Sequence, residues 1–262
     1  MAKLKGLAWL VTAILVGVVA AYGLPYFARH VPWSIEQRAA RLLGGAGAGE
    51  RVCATRPEAA ALFKKIVARI YPIYPDDHTF PVTVEPVEGS TVNAFASLGG
   101  HIYVFDGLIK QAETAEELAG VLAHEIEHVR QRHIIQGVIV RLVTVEGLKL
   151  ALSGGGAINP ETASALLNLQ FSREQEREAD EGGLRRLQDA RVDVAGFQHF
   201  FERAKNMSSV PAILSDHPDN DDRAQLAQRY RDHPIEPIMD KKDWELVKKI
   251  CVKADNQPGR RR

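Results

Sequence analysis

The chain has 262 residues, of which 45% are hydrophobic and 25% are charged, and its 33 Lys and Arg residues balance 33 Asp and Glu residues. This length and apolar content are enough for one or two domains with a buried core, and they exclude wholesale disorder. The formal net charge of zero argues against a nucleic-acid-binding protein, because such proteins carry dense basic surfaces.

The first feature along the chain is an apolar run. Residues 7–28 contain no charged side chain and follow Lys3 and Lys5. A helix of that length covers about 33 Å, enough to cross the hydrocarbon core of a bilayer. We therefore predict a single-pass membrane anchor over residues 1–28, and a cleaved signal sequence is the alternative. The short segment before the apolar run is expected to stay in the cytosol, whereas the long domain after it is translocated. We expect the rest of the chain on the periplasmic side of a bacterial inner membrane, or secreted into the periplasm after cleavage.

The composition then changes. Residues 29–50 end in a run of alternating glycine and alanine, which predicts a flexible linker before a body at 51–256 and a basic tail at 257–262. The two cysteines, Cys53 and Cys251, lie at opposite ends of the body. They either form a disulfide in an oxidising compartment or remain as two buried thiols. The sequence leaves both alternatives open.

Within the body, apolar residues recur at helical spacing over 57–70 and then alternate with polar ones. The alternating segments predict strands at 80–84, 91–96 and 101–105. Gly99-Gly100 predicts a tight hairpin between the second and third of these strands. We expect a small antiparallel sheet.

The remainder of the chain has the pattern of helices. Thr114 and Glu117 form a capping-box pattern that starts one long helix, and Asn159-Pro160-Glu161 starts another. The apolar segment Val138–Leu152 is interrupted by charges and is too short to span a membrane. It packs in the core, covers a cleft or lies against lipid. The order of the elements indicates an α+β fold that is mainly helical.

The residues that carry chemistry begin with His124-Glu125-Ile126-Glu127-His128. Residues four apart lie on one face of a helix, so the two imidazoles can bind one ion. The carboxylate of Glu125 lies beside them, where it can take a proton from a water molecule that the ion activates. The flanking residues are apolar on several sides, and a buried helix with two His and two Glu needs a cation to neutralise it.

A catalytic zinc ion takes three protein ligands and leaves a fourth position to water. The acidic cluster from Glu174 to Glu181 can supply the third ligand. Glu176 and Asp180 are four apart and share a face, so one can bind the ion while the other holds a ligand imidazole. Spacing alone does not select Glu176 over Glu178, which also fits a solvated acidic face.

These motifs resemble peptidase family M, number forty-eight, which includes HtpX-like and BepA-like zinc metalloproteases and the CAAX prenyl proteases. The family pattern is an HExxH helix followed by Glu-x-x-x-Asp with Ala before the Asp, and here it is matched by Glu176-Arg177-Glu178-Ala179-Asp180, with Gly183 downstream. The resemblance implies a zincin-type domain with one zinc ion per subunit. The implied roles are zinc ligation by His124, His128 and Glu176, catalysis by Glu125, and support of His124 by Asp180.

Two further segments are similar to the family. Asn93-Ala94-Phe95-Ala96 resembles its edge strand, where an extended peptide substrate would add to the sheet. His217-Pro218 with Arg223 resembles its late His-Pro…Arg element. The resemblance places His217 near the zinc, where it stabilises the oxyanion or acts as a fourth ligand that excludes water. The alternative is an ordinary loop residue.

Together these observations predict a membrane-anchored zinc endopeptidase. Its expected partners are misfolded or membrane-associated polypeptide substrates, and its expected role is the quality control of envelope or membrane proteins. We expect the N-terminal helix to bind the membrane, and we expect no nucleic-acid partner. One alternative is a chaperone-like scaffold in which zinc is structural. The other is a latent protease held inactive by its own loop, either residues 138–152 or His217.

Overall fold

The computed structural model of the chain describes residues 23–42, 51–72, 80–143, 169–207, 211–217 and 223–252. The predictions that fall outside these residues are most of the membrane anchor, the glycine-rich end of the linker, most of Val138–Leu152, the helix start at Asn159 and the basic tail. Within the described ranges, no helix combines the length and the apolar character that a membrane span requires.

In the described ranges, the three strands follow one another along the chain, with helices before and after them. The strands are β1 (Thr83–Val87), β2 (Ala94–Ala96) and β3 (His101–Phe105). The helices are α1 (Leu24–Ala28), α2 (Trp33–Leu42), α3 (Pro57–Ile70), α4 (Asp106–Gln111), α5 (Ala115–Arg130), α6 (His133–Arg141), α7 (Arg173–Asp189), α8 (Ala195–Lys205), α9 (Ala212–Asp216), α10 (Arg223–Arg229) and α11 (Lys241–Val247). The prediction of a mainly helical α+β fold is confirmed.

Helix α3 has the predicted bounds. Pro57 occupies its first turn, where the missing backbone N–H costs nothing. Leu62, Phe63, Ile66 and Ile70 form its buried face. This face packs into the main core together with the apolar residues of α5.

The three strands form a mixed sheet in the order β1-β3-β2. The central strand β3 is antiparallel to β2 but parallel to β1, so the prediction of an antiparallel sheet is wrong for one of the two pairings. Side chains alternate between faces in the same way in both directions, and the sequence pattern therefore did not determine strand direction. The first strand also lies three residues later than predicted, since the alternation continues to the buried Val87.

The connection between β2 and β3 is the predicted turn. Gly99 and Gly100 have φ of 76° and 82°, a left-handed conformation that favours glycine. A Cβ atom on Gly100 would lie 2.0 Å from the carbonyl oxygen of Pro81. Only glycine fits this position without moving the backbone.

Helix α2 lies inside the range that the sequence suggested was a flexible linker. The buried Glu36 of this helix pairs with the buried Arg132 guanidinium and accepts a hydrogen bond of 3.0 Å from the backbone N–H of Gly99. Ala40 packs in a second small core with Leu98 and Ile134. These tertiary contacts hold α2 on the body, and no local sequence pattern within residues 29–50 predicts them.

Helix α5 is the centre of the molecule. It begins at the predicted cap, where Thr114 Oγ1 accepts a hydrogen bond from the Glu117 backbone N–H. It packs against α7, α8 and α3, and its residues from Leu118 to Val129 are buried. Close packing with α7 is possible because Gly183 has no side chain: a Cβ there would lie 3.2 Å from the His124 backbone nitrogen.

The two cysteines form a disulfide. Cys53 and Cys251 are bonded, with their Cα atoms 5.2 Å apart and a separation of 198 positions in sequence. The bridge joins the segment before α3 to the segment after α11. Of the two alternatives that the sequence left open, the disulfide is therefore the one present.

Candidate metal centre

Four buried side chains from three parts of the chain meet at one point. Helix α5 presents His124 and His128 one turn apart, the first turn of α7 presents Glu176, and His217 follows directly after α9. One nitrogen or oxygen atom from each lies within 4.8 Å of all the others. The structure thus brings together the three expected ligands and His217, which the family resemblance placed near them.

The distances identify the atoms that face the centre. His124 Nε2 lies 3.0 Å from His128 Nε2 and 3.1 Å from His217 Nδ1. Glu176 Oε1 lies 3.1 Å from His217 Nδ1, and its Oε2 is buried without a hydrogen bond among the described residues. Three imidazole nitrogens and one carboxylate are a donor set for zinc or a similar divalent ion. The residues present therefore fit a metal ion.

The protonation states of the ligands agree with that use. Burial alone raises the pKa of Glu176, but the neighbouring His124 and His217 rings outweigh it and lower the pKa to about 2. Burial lowers the pKa of His128 well below its ordinary value, as do the neighbouring positive charges. Burial also lowers the pKa of His124, but Asp180 and Glu176 reverse this effect and raise it to about 10. An ionised Glu176 and a neutral His128 are ready to bind a cation, which would displace the proton of His124.

Glu125 lies between the metal-ligand cluster and the sheet. Its Oε2 accepts a 2.9 Å hydrogen bond from the Ala96 backbone N–H, and its Oε1 lies 3.3 Å from His217 Nε2. The side chain is fully buried. Burial raises the pKa of this carboxyl, while the charges of His217 and His124 oppose the rise.

A carboxylate and an arginine support His124 from behind. Its Nδ1 lies 2.9 Å from Asp180 Oδ1, and Asp180 Oδ2 accepts a 2.8 Å hydrogen bond from Arg223 Nε. The Arg223 guanidinium also lies 4.2 Å from the ring centre of Phe201. Burial raises the pKa of Asp180, but Arg223 and His124 lower it overall, so the carboxylate stays ionised.

The predicted substrate segment borders the same centre. Asn93 precedes β2, and Ala94, Phe95 and Ala96 form this strand, which pairs with β3 along one edge. No second strand pairs with β2 within the described ranges. Asn93 Nδ2 donates a 2.8 Å hydrogen bond to Oδ2 of Asp216, the residue before His217. The Phe95 ring packs 5.3 Å from that of Tyr103.

Comparison with known proteins identifies the family of this chain. The model of peptidase family M48 matches residues 73–231, which include every residue of the centre. The chain belongs to peptidase family M48. The resemblance inferred from the motifs is thereby confirmed.

Three M48-type relatives illustrate the similarity. Metalloprotease LoiP of Escherichia coli is 33% identical over 55% of this chain and 61% of its own length. The beta-barrel assembly-enhancing protease of Escherichia coli is 28% identical over 62% of this chain and 37% of its own length. The mitochondrial metalloendopeptidase OMA1 of Schizosaccharomyces pombe is 30% identical over 55% of this chain and 45% of its own length. The chain thus spans less than two thirds of each relative.

The M48 resemblance assigned no role to His133 and Phe171, which the structure places beside His128, or to Glu178, which contacts His133. His133 Nδ1 lies 3.0 Å from His128 Nδ1, and His133 Nε2 lies 3.0 Å from Glu178 Oε2. The Phe171 ring stacks on His128 with centres 4.0 Å apart. Glu178 is therefore partly exposed, as the acidic face predicts, and it also pairs with the buried His133. The only sequence signal for a role of His133 was its position five residues after His128. In the structure, Arg132 between them adopts a left-handed conformation where α5 gives way to α6.

Proposed function

We propose that the protein is a zinc endopeptidase whose ion is held by His124, His128 and Glu176. The observation that carries the proposal is the meeting of these three buried side chains, from two helices, next to the buried carboxylate of Glu125. Membership of peptidase family M48 supports it.

The chemistry follows from what the residues around the ion can do. Zinc at this centre would act as a Lewis acid on the scissile carbonyl and would lower the pKa of a water molecule. Glu125 accepts the proton of that water and delivers it to the leaving amine. Its hydrogen bond from the Ala96 N–H keeps the carboxylate beside β2. An extended polypeptide substrate adds to the edge of β2 opposite β3, over Asn93-Ala94-Phe95-Ala96.

We further propose that the substrates are misfolded envelope or membrane proteins, and that residues 1–28 anchor the enzyme with its catalytic domain in the periplasm. The Cys53–Cys251 disulfide supports an oxidising compartment. A relative named for beta-barrel assembly and a mitochondrial relative support a role at membranes. Protease digestion of spheroplasts tests the location: digestion from outside supports a periplasmic domain, and full protection contradicts it.

The catalytic proposal is tested on the full chain purified in detergent. We expect about one zinc per chain, cleavage of casein, and loss of cleavage with a chelator. Glu125→Gln should abolish cleavage and keep zinc, because it removes only the base. Glu116→Gln, the same change earlier on α5, is the matched control and should stay active. Wild-type protein that binds no zinc, or Glu125→Gln protein that still cleaves casein, would refute the proposal.

A second candidate function, a latent protease, is favoured by the position of His217. Its Nδ1 lies 3.1 Å from both His124 Nε2 and Glu176 Oε1, as a fourth ligand would. A fourth protein ligand would occupy the place of the water that hydrolysis needs. The same ring cannot fill that place and also stabilise an oxyanion.

The sign of one substitution separates these roles. If His217 blocks the water position, His217→Ala should raise casein cleavage. If His217 stabilises the oxyanion, the same change should lower kcat about 100-fold or more. An unchanged rate would assign His217 a scaffold role only. Zinc content measured on the same samples shows whether the ion is retained.

A further inference from the structure

We propose that His133 and Glu178 form a positioning relay that holds His128 in the orientation and tautomer required for zinc binding. The inference rests on the proposed zinc site and adds residues to it. The relay consists of three side chains in line, His128, His133 and Glu178, joined by two contacts of 3.0 Å each.

The direction of both hydrogen bonds follows from the role of His128. Its Nε2 faces the metal centre and must offer a lone pair, so its proton resides on Nδ1. That N–H can donate only to an unprotonated Nδ1 of His133. The proton of His133 is then on Nε2, where it donates to the Glu178 carboxylate. One arrangement of protons satisfies every atom of the relay.

The relay is also mechanically confined. His133 is fully buried, and the Phe171 ring covers His128 with its centre 4.0 Å away. The same Glu178 oxygen that faces His133, Oε2, also pairs with Arg29 Nη2 at 3.2 Å. A hydrogen-bond acceptor fixed in this way orients the donor ring and raises its basicity toward the ion.

The arrangement repeats the support of the other histidine ligand. His124 is held by a carboxylate, Asp180, that an arginine in turn holds. His128 is held in the same order, with His133 inserted between ligand and carboxylate. The two zinc-binding nitrogens of α5 are thus each backed by an acid–arginine pair. Because the Glu178 side chain is 27% exposed and Asp180 is buried, we expect the His128 relay to contribute less.

The test measures zinc affinity rather than activity alone. The full chain in detergent is stripped of metal and titrated with Zn²⁺ against a chromophoric chelator. His133→Leu removes the acceptor and should weaken zinc binding about 10- to 100-fold, the usual loss when a partner of a metal ligand is removed. His133→Gln can accept through its carbonyl and donate through its amide, so it should restore most of the affinity.

Glu178 provides the matched comparison. Glu178→Ala should weaken zinc binding several-fold, whereas Glu174→Ala, on the exposed side of the same helix, should leave it unchanged. Glu178 is at the protein surface, so this pair decides the question if His133→Leu does not fold. In zinc-loaded wild-type protein, the His128 Nδ1 proton should appear as a downfield NMR signal that His133→Leu removes.

The outcomes distinguish the relay from the zinc site itself. Wild-type protein that binds zinc, with Glu178→Ala and folded His133→Leu variants of equal affinity, would overturn the relay and leave the proposed function standing. Loss in both His133→Leu and His133→Gln, with Glu178→Ala unaffected, would also overturn it, because packing would then explain the loss. Wild-type protein that binds no zinc would overturn the proposed function and the relay with it.

Discussion

Removal of the disulfide is the perturbation whose magnitude the structure defines best. The bond closes a loop whose ends are 198 positions apart in sequence. In the chain-entropy model a cross-link of that length restricts the unfolded chain by about 18 cal/mol/K, or about 5 kcal/mol at 25 °C. The bond joins the segments before α3 and after α11, and neither segment supplies a residue of the metal centre.

We therefore expect a double Cys53→Ser, Cys251→Ser variant to lose stability but not function. Its free energy of unfolding in urea should fall by up to about 5 kcal/mol, and its Tm should fall by about 10–20 °C. Zinc content and casein cleavage at 20 °C should match the wild type. Reduced and thiol-blocked wild-type protein is the control that keeps both cysteine side chains.

Two results would refute the reasoning. If the double variant lay within about 1 kcal/mol of the oxidised wild type, the bridge would not stabilise the fold through loop closure. If the reduced wild type were stable while the double variant was not, the loss would come from the packing of the sulfur atoms. Loss of zinc in a variant that is still folded would contradict the separation of the bridge from the site.

Three other predictions concern the site and its supports. Gly183→Ala should weaken zinc binding, measured by chelator competition, because the new Cβ would push α7 from the His124 backbone; unchanged affinity would show that the helices adjust. Glu36→Leu should lower the free energy of unfolding in urea by about 3–5 kcal/mol, since it leaves the buried Arg132 without its carboxylate. A Glu36→Leu, Arg132→Leu double variant should recover part of this loss, and no recovery would contradict the charge argument. Zinc at 100 times its Kd should stabilise the metal-free protein by about 2.7 kcal/mol in calorimetry, and Mg²⁺ should not.

Most of the site was accessible from sequence because its chemistry is local. The four-residue spacing of His124 and His128 places both rings on one helix face whatever surrounds the helix. The same rule joined Glu176 to Asp180. Spacing did not decide between Glu176 and Glu178, because both lie on a helix rich in acids. The family resemblance pointed to Glu176, which lies at the centre, and Glu178 lies one contact further out.

Contacts between segments distant in sequence were not accessible in this way. The pairing of Glu36 with Arg132 holds α2 on the body, and neither residue differs locally from a solvated charge. The chain turns through the left-handed Arg132 between His128 and His133, and the contact of the two rings belongs to the folded chain. The parallel pairing of β1 with β3 depends on how the chain returns to the sheet.

The sequence by itself determined the period of each element, the helix that carries two imidazoles, and the residue types able to bind a divalent ion. Those properties depend on neighbours within one or two helical turns. Only the tertiary structure decided strand direction, the disulfide, and the pairings of Glu36 with Arg132 and of Glu178 with His133. These features depend on burial and on contacts between residues that are tens of positions apart. The free-energy difference between alternative arrangements is therefore set by the packing of the whole fold, and no single segment contains it.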